Sequence, residues 1–283
     1  MPNGIEPLSQ RGISPYGLCG LCGFVGHLSR THVPPQCAGN TTDVESGVAV
    51  TRIDKSGVRR LGEGRKRNGG AAAFLLCEPC NGIASKYDDA FGQIWKNLFH
   101  DFRGGLPAIR GPHPAEAPLM RPGAIVRSVL AGLMGLCPTL QTDFPTLVGA
   151  VKDGAVVRAP EGLHLLMTLY PGPDRWVSGG GIGRQTLRAG RAPTEVYAYG
   201  EVAWPPLYFI LTDQSGKAEW PDAYDILSWL ADEPGVERSV ALLIPVLRAN
   251  DLFTSDLPRD FTVQTVEAGD GKRVVPGKGT MPA

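Results

Sequence analysis

Two Cys-x-x-Cys pairs, Cys19-Gly-Leu-Cys22 and Cys77-Glu-Pro-Cys80, constrain this chain more than any other feature. Together they offer four thiolates, the number that satisfies a tetrahedral structural zinc. The pairs lie far apart in sequence, so intervening strands must bring them together. Gly20 and Gly23 permit the tight turn that aims two thiolates inward. Two unrelated cysteine pairs, or a redox disulfide, are the alternatives. Cys37 lies close to His32 and adds one more, a mixed Cys/His cluster of one or two metals. Cys137 sits in an apolar run and reads as a small buried residue.

The chain has 283 residues, which fits one large domain or two modest ones. Hydrophobic residues make up 42%, enough for a sizeable core and too many for disorder. With 37 Gly and 25 Pro, many turns and few long helices are expected. No apolar run is long enough to span a membrane, and the N-terminus lacks the apolar region of a secretory signal. A cytoplasmic, reducing location is therefore expected, where six cysteines serve as metal ligands or buried thiols rather than disulfides. The net charge is zero, yet residues 52–67 carry 7 basic and 2 acidic side chains. That run is either a solvated loop or a contact for a phosphate backbone, with Arg59, Arg60, Arg65, Lys66 and Arg67 as the contacting residues.

The hydropathy pattern predicts an α+β protein. Residues 47–53 and 71–77 read as strands, joined by a long exposed connection rich in Gly and Arg. After Asn81, the positions Ile83, Tyr87, Phe91, Ile94, Leu98 and Phe102 fall on one helical face. Residues 105–122 hold five prolines and read as a linker. The expected division is a zinc-containing module over 1–104, that linker, and a strand-rich α+β domain over 123–283. The second unit opens with a buried helix over 123–137, carries four strand-like runs, and has a short helix over 224–233. A sensor, substrate-positioning or partner-binding role, including self-association, suits it. "SGGGIGRQ" at 178–185 lacks P-loop spacing and reads as a flexible loop between strands. Tyr197, Tyr199, Trp204, Tyr208 and Phe209 read as core aromatics, with a base-stacking face as the alternative.

The arrangement Cys-x-x-Cys, then His32-Val-Pro-Pro, then Cys-x-x-Cys-Asn81 at a helix start resembles the HNH endonucleases of the ββα-metal type. The resemblance covers residues 17–105. It implies two strands and a helix tied by a four-cysteine zinc, with a separate Mg²⁺ or Mn²⁺ that cuts phosphodiesters. By the same resemblance, His32 is the general base and Asn81 binds the catalytic metal; Asn40, which the family spacing does not supply, is a further candidate for orienting His32. The substrate would be DNA, or RNA in second place, in a restriction or anti-phage role. One position departs from the family: the residue before the histidine is often an acid, and here it is Thr31. A hydroxyl is a poorer ligand for Mg²⁺ than a carboxylate. Asp88, seven residues beyond Asn81 on the same helix face, is the expected substitute, followed by Asp89. The rival expectation is a non-catalytic nucleic-acid-binding protein that keeps the zinc fold.

Overall fold

A computed structural model describes residues 14–41, 44–54, 57–60, 65–67, 69–101, 113–170, 175–183, 196–214, 217, 222–246 and 260–266. The chain begins with β1 (Tyr16–Leu18), β2 (Val25–His27) and β3 (Ser29–His32), then β4 (Val44–Asp54), β5 (Gly57–Arg60), β6 (Arg65–Arg67) and β7 (Ala72–Leu76). Two helices follow, α1 (Glu78–Ala84) and α2 (Asp88–Asp101), joined by a 3-10 turn. Next come β8 (His113–Met120), α3 (Pro122–Leu136), α4 (Leu140–Asp143) and α5 (Pro145–Lys152). The remaining elements are β9 (Leu163–Leu169), β10 (Arg175–Gly183), β11 (Val196–Trp204), β12 (Leu207–Asp213), β13 (Tyr224–Asp225), β14 (Arg238–Ile244) and β15 (Asp260–Val266), with a 3-10 turn over Leu227–Ala231. The fold is mixed helix and strand, as the pattern predicts.

The helical stripe after Asn81 is a real buried face. Of that stripe Tyr87, Phe91, Ile94 and Leu98 are buried and Ile83 is half-buried, with Trp95 buried beside them, while Phe102 lies outside the described residues. Cys77 occupies the N-cap of α1 and a proline enters its first turn, where a missing N–H costs nothing. Asp88 and Asp89 open α2, where negative charge suits the helix dipole.

Three features differ from the sequence expectation. The expected linker carries a strand, β8, which pairs antiparallel with β14. Its prolines are tolerated because the two-stranded sheet leaves each strand one open edge, and Pro118 falls at a register shift. The glycine run at 178–185 is largely strand β10 rather than a loop. Its Gly179 lies against α3, where a Cβ would sit 2.4 Å from the Leu136 Cβ, so the glycine permits a close helix–sheet approach. The strand at 47–53 forms, but within the nine-stranded sheet: β4 pairs with β15, β5 and β6, whereas the other expected strand, β7, pairs with β3. The four expected runs of the second half appear as β9, β11, β12 and β14.

α3 connects the two halves. All fifteen of its residues are buried. Gly132 and Gly135 admit Val33 and Leu75 so closely that a Cβ would lie 2.9 and 3.0 Å from their side chains. Arg127 on this helix is wholly buried and spends its guanidinium on carbonyls, donating to Ala150, Gly123, Asp232, Ala155 and Leu230. The buried cluster runs without a break from Cys19 to Ile244, so the expected boundary at residue 104 crosses one packed core. Trp204 and Phe209 belong to that core, and Tyr208 is buried against Glu201, so none of the three forms an exposed stacking face. Among the described residues no helix is long and apolar enough to cross a membrane.

Candidate functional site

The β1–β2 hairpin carries Cys19 and Cys22 in its turn. Backbone bonds from Gly23 to the Cys19 carbonyl (3.0 Å) and from Cys19 to the Phe24 carbonyl (2.8 Å) close that turn. Gly23 adopts φ 73°, a left-handed conformation that favours glycine. A third bond, from Gly20 to the Leu75 carbonyl (3.0 Å), docks the turn onto β7, which delivers Cys77. The first turn of α1 then presents Cys80.

The four sulfurs lie within 4.8 Å of one another, and Cys22 Sγ stands 3.8 Å from Cys77 Sγ. A tetrahedral zinc with Zn–S bonds of about 2.3 Å sets sulfurs about 3.8 Å apart. The Cys77 amide also donates to Cys19 Sγ at 3.3 Å, a bond that steadies a thiolate. Burial, and then the charge on Cys19, pushes the Cys80 thiol well up, so four thiolates this close require a cation. The cluster can hold a structural metal such as zinc.

Cys37 and Cys137 stand outside this set. Cys37 Sγ–H donates to the Asp88 carbonyl at 3.0 Å, and Cys137 contacts Thr139 Oγ1 at 3.3 Å. The mixed Cys/His cluster is therefore not formed among the described residues. All six cysteines are free of disulfides in the structure.

Beside the cluster a cavity of about 370 Å³ opens between β3, the His32-Val-Pro-Pro loop, α1, α2 and α3. It brings His32, Asn81, Asp88 and Asp89 to one lining, along with Arg30 and Thr31. Its floor is completed from far along the chain by Ser128, Val129, Val202 and Phe209. β3 reaches the cavity because it pairs with β7, His32 opposite Ala72, and so shares the sheet that ends in the second cysteine pair.

His32 Nε2 lies 3.0 Å from the Gly69 carbonyl oxygen. A carbonyl only accepts, so Nε2 carries the proton and Nδ1 keeps its lone pair. Burial pushes the imidazole below its usual pKa, and the Arg30 charge adds to this, which keeps it neutral. Asn81 Nδ2 donates to the Arg30 carbonyl at 3.3 Å, leaving its Oδ1 as a donor atom for a cation. The Asp88 carboxyl is pushed up to about 6, chiefly by burial and secondarily by Asp89, with the Ser128 hydroxyl bond opposing.

Asn40 does not line the cavity. It is fully buried behind it and makes three bonds: Nδ2 to the carbonyls of Pro34 (2.5 Å) and Ala71 (3.1 Å), and Oδ1 from the Ala71 amide (2.6 Å). It thereby joins the segment leaving His32 to the segment that carries Gly69, the acceptor of the His32 bond. Val33-Pro34 in that first segment is cis.

Arg59 and Arg60 lie on β5, and Arg65, Lys66 and Arg67 on β6, both paired with β4. Their side chains lie outside what is described. The sequence reading missed Ser128 and Arg30 as cavity residues. A serine within the apolar run of α3 was the available signal for the first.

No known protein family, characterised protein or solved structure matches the chain in comparison.

Proposed function

We propose that this chain is a metal-dependent endonuclease that hydrolyses phosphodiester bonds of DNA, with RNA as the lesser substrate. The observation that supports it best is the His32 imidazole, fixed through Nε2 and neutral at Nδ1, in one cavity with Asn81 and Asp88. A neutral, oriented imidazole can take a proton from an attacking water.

The donor set suits a hard divalent cation such as Mg²⁺ or Mn²⁺, because Asn81 Oδ1 and the Asp88 carboxylate are oxygen ligands. Thr31 is among the residues that line the same cavity. The cation would neutralise charge building on the scissile phosphate and leaving oxygen. The chain's own residues do the rest: Gly69 and Asn40 hold His32 in direction, and Arg30 offers a positive charge at the cavity. The four-cysteine cluster has no open position for water and is structural in this reading.

The test is cleavage of plasmid DNA and of structured RNA by the full chain with Mg²⁺ or Mn²⁺, compared with His32→Ala. Divalent-dependent cleavage lost in the variant is expected. Thr31 in place of an acid favours a second reading, a nucleic-acid-binding protein without catalysis. Binding with no cleavage of either polymer under any divalent cation establishes that one instead. In either reading we propose that the basic run at 52–67 contacts phosphates. Replacing Arg59, Arg60, Arg65, Lys66 and Arg67 with Ala should then flatten the salt dependence of binding by about one unit of slope per lost phosphate contact. An unchanged slope removes that role.

A further inference from the structure

Only two residues of α3 carry polar side chains, Arg127 and Ser128. Arg127 is accounted for by its five carbonyl partners. Ser128 is 6% exposed, in a helix whose other surfaces are apolar. An alanine there would propagate the helix better and bury no hydroxyl. The serine therefore requires a partner that justifies it, and it has one across the cavity. Its Oγ donates to Asp88 Oδ1 at 3.0 Å.

Asp88 is held from a second side, since Cys37 Sγ–H donates to its backbone carbonyl at 3.0 Å. One carboxylate oxygen is tied by Ser128, which leaves Oδ2 as the atom turned to other use. Carboxylate ligands to metals are typically hydrogen-bonded in this way by an outer partner that fixes their direction.

We infer that Ser128 is a positioning residue for the catalytic cation: it clamps Asp88 Oδ1 so that Asp88 Oδ2 meets the divalent ion, making α3 part of the active site. The inference rests on the nuclease reading for the word catalytic, but its core, a Ser128-held cation ligand, stands apart from cleavage.

The experiment titrates Mn²⁺ into the full-length, zinc-loaded chain without nucleic acid, by calorimetry or electron paramagnetic resonance. Wild type, Ser128→Ala, Asp88→Asn and the double variant are compared, with zinc content and melting temperature as fold controls. Loss of an outer-shell partner typically weakens metal affinity about 10- to 100-fold, and Ser128→Ala should fall in that range. Asp88→Asn should weaken it at least as much, and Ser128→Ala should add nothing further in the Asp88→Asn background. A role in stability alone moves the melting temperature and leaves the Mn²⁺ affinity untouched, which overturns the inference. So does an additive double variant, or a folded wild type that binds no Mn²⁺. Cleavage measured in parallel separates the two claims. Mn²⁺ binding that needs both residues but supports no cleavage ends the nuclease reading and keeps the clamp. Cleavage with Mn²⁺ affinity indifferent to both residues does the reverse.

Discussion

The four-cysteine cluster and the neighbouring cavity share α1, yet they are built on opposite plans. The cluster uses one donor type four times, from two short turns, and its closed geometry is set by those turns. The cavity uses an imidazole, an amide, a carboxylate and hydroxyls, drawn from β3, α1, α2 and α3, and is floored by β11 and β12. The first site needs two short turns docked through β7, and the second draws on elements from across the core. A site assembled from that many elements can be tuned at each of them, and it can also be spoiled at each of them.

The sharpest way to break the contrast is at the cluster itself. Cys80→Ser should release the metal and unfold the β1–β2 hairpin and α1, because structural zinc contributes about 10–16 kcal/mol in small zinc-binding folds. Metal analysis with circular dichroism checks this, and a variant that stays folded and metal-loaded contradicts it. At the cavity the expected effect is chemical. His32→Ala should slow cleavage by about 10² to 10⁴ while zinc content and melting temperature hold. Full activity in that variant would place the base elsewhere.

Asn40 tests the packing behind the cavity. Its three bonds are buried, and Asn40→Ala leaves the Ala71 amide and two carbonyls without it. A loss of about 2–4 kcal/mol in urea unfolding is expected. A loss within error would mean the two loops are held by other means.

Asp88 should behave in the opposite sense. Its carboxyl is raised to about 6 in the fold against 3.8 in the unfolded chain, so the metal-free fold is disfavoured once pH rises through that interval. Below the unfolded value both states are protonated and the penalty vanishes. Asp88→Asn should therefore stabilise the metal-free protein by up to about 3 kcal/mol at pH 7, and by nothing at acid pH. Melting temperatures of the two proteins across pH measure it. No gain at neutral pH would show that the carboxylate is well solvated.

What could be read from sequence follows the same divide. The cysteine pairs, Gly23 and the N-capping Cys77 act within a few residues, so spacing alone exposes them. His32, Asn81 and Asp88 were legible because each sits beside one of those landmarks. Ser128 was not, since nothing in a one-dimensional pattern says that a serine on one helix meets an aspartate forty residues earlier. The strand β8 was hidden by its prolines, whose usual meaning is a linker until an open edge excuses them. The glycines of β10 misled for a related reason. A glycine that serves close packing against Leu136 looks, in sequence, like one that serves a loop.

The glycine contacts of α3 also bear on the order in which the newly made chain matures. Both cysteine pairs have emerged once Cys80 is synthesised, whereas Phe209, which floors the cavity, follows roughly 130 residues later. At about 5–20 residues per second that gap is on the order of ten seconds. During it the nascent chain can capture its structural metal but lacks the sheet against which α3 packs. The four thiolates are therefore available to a metal before the elements that complete the cavity have been made.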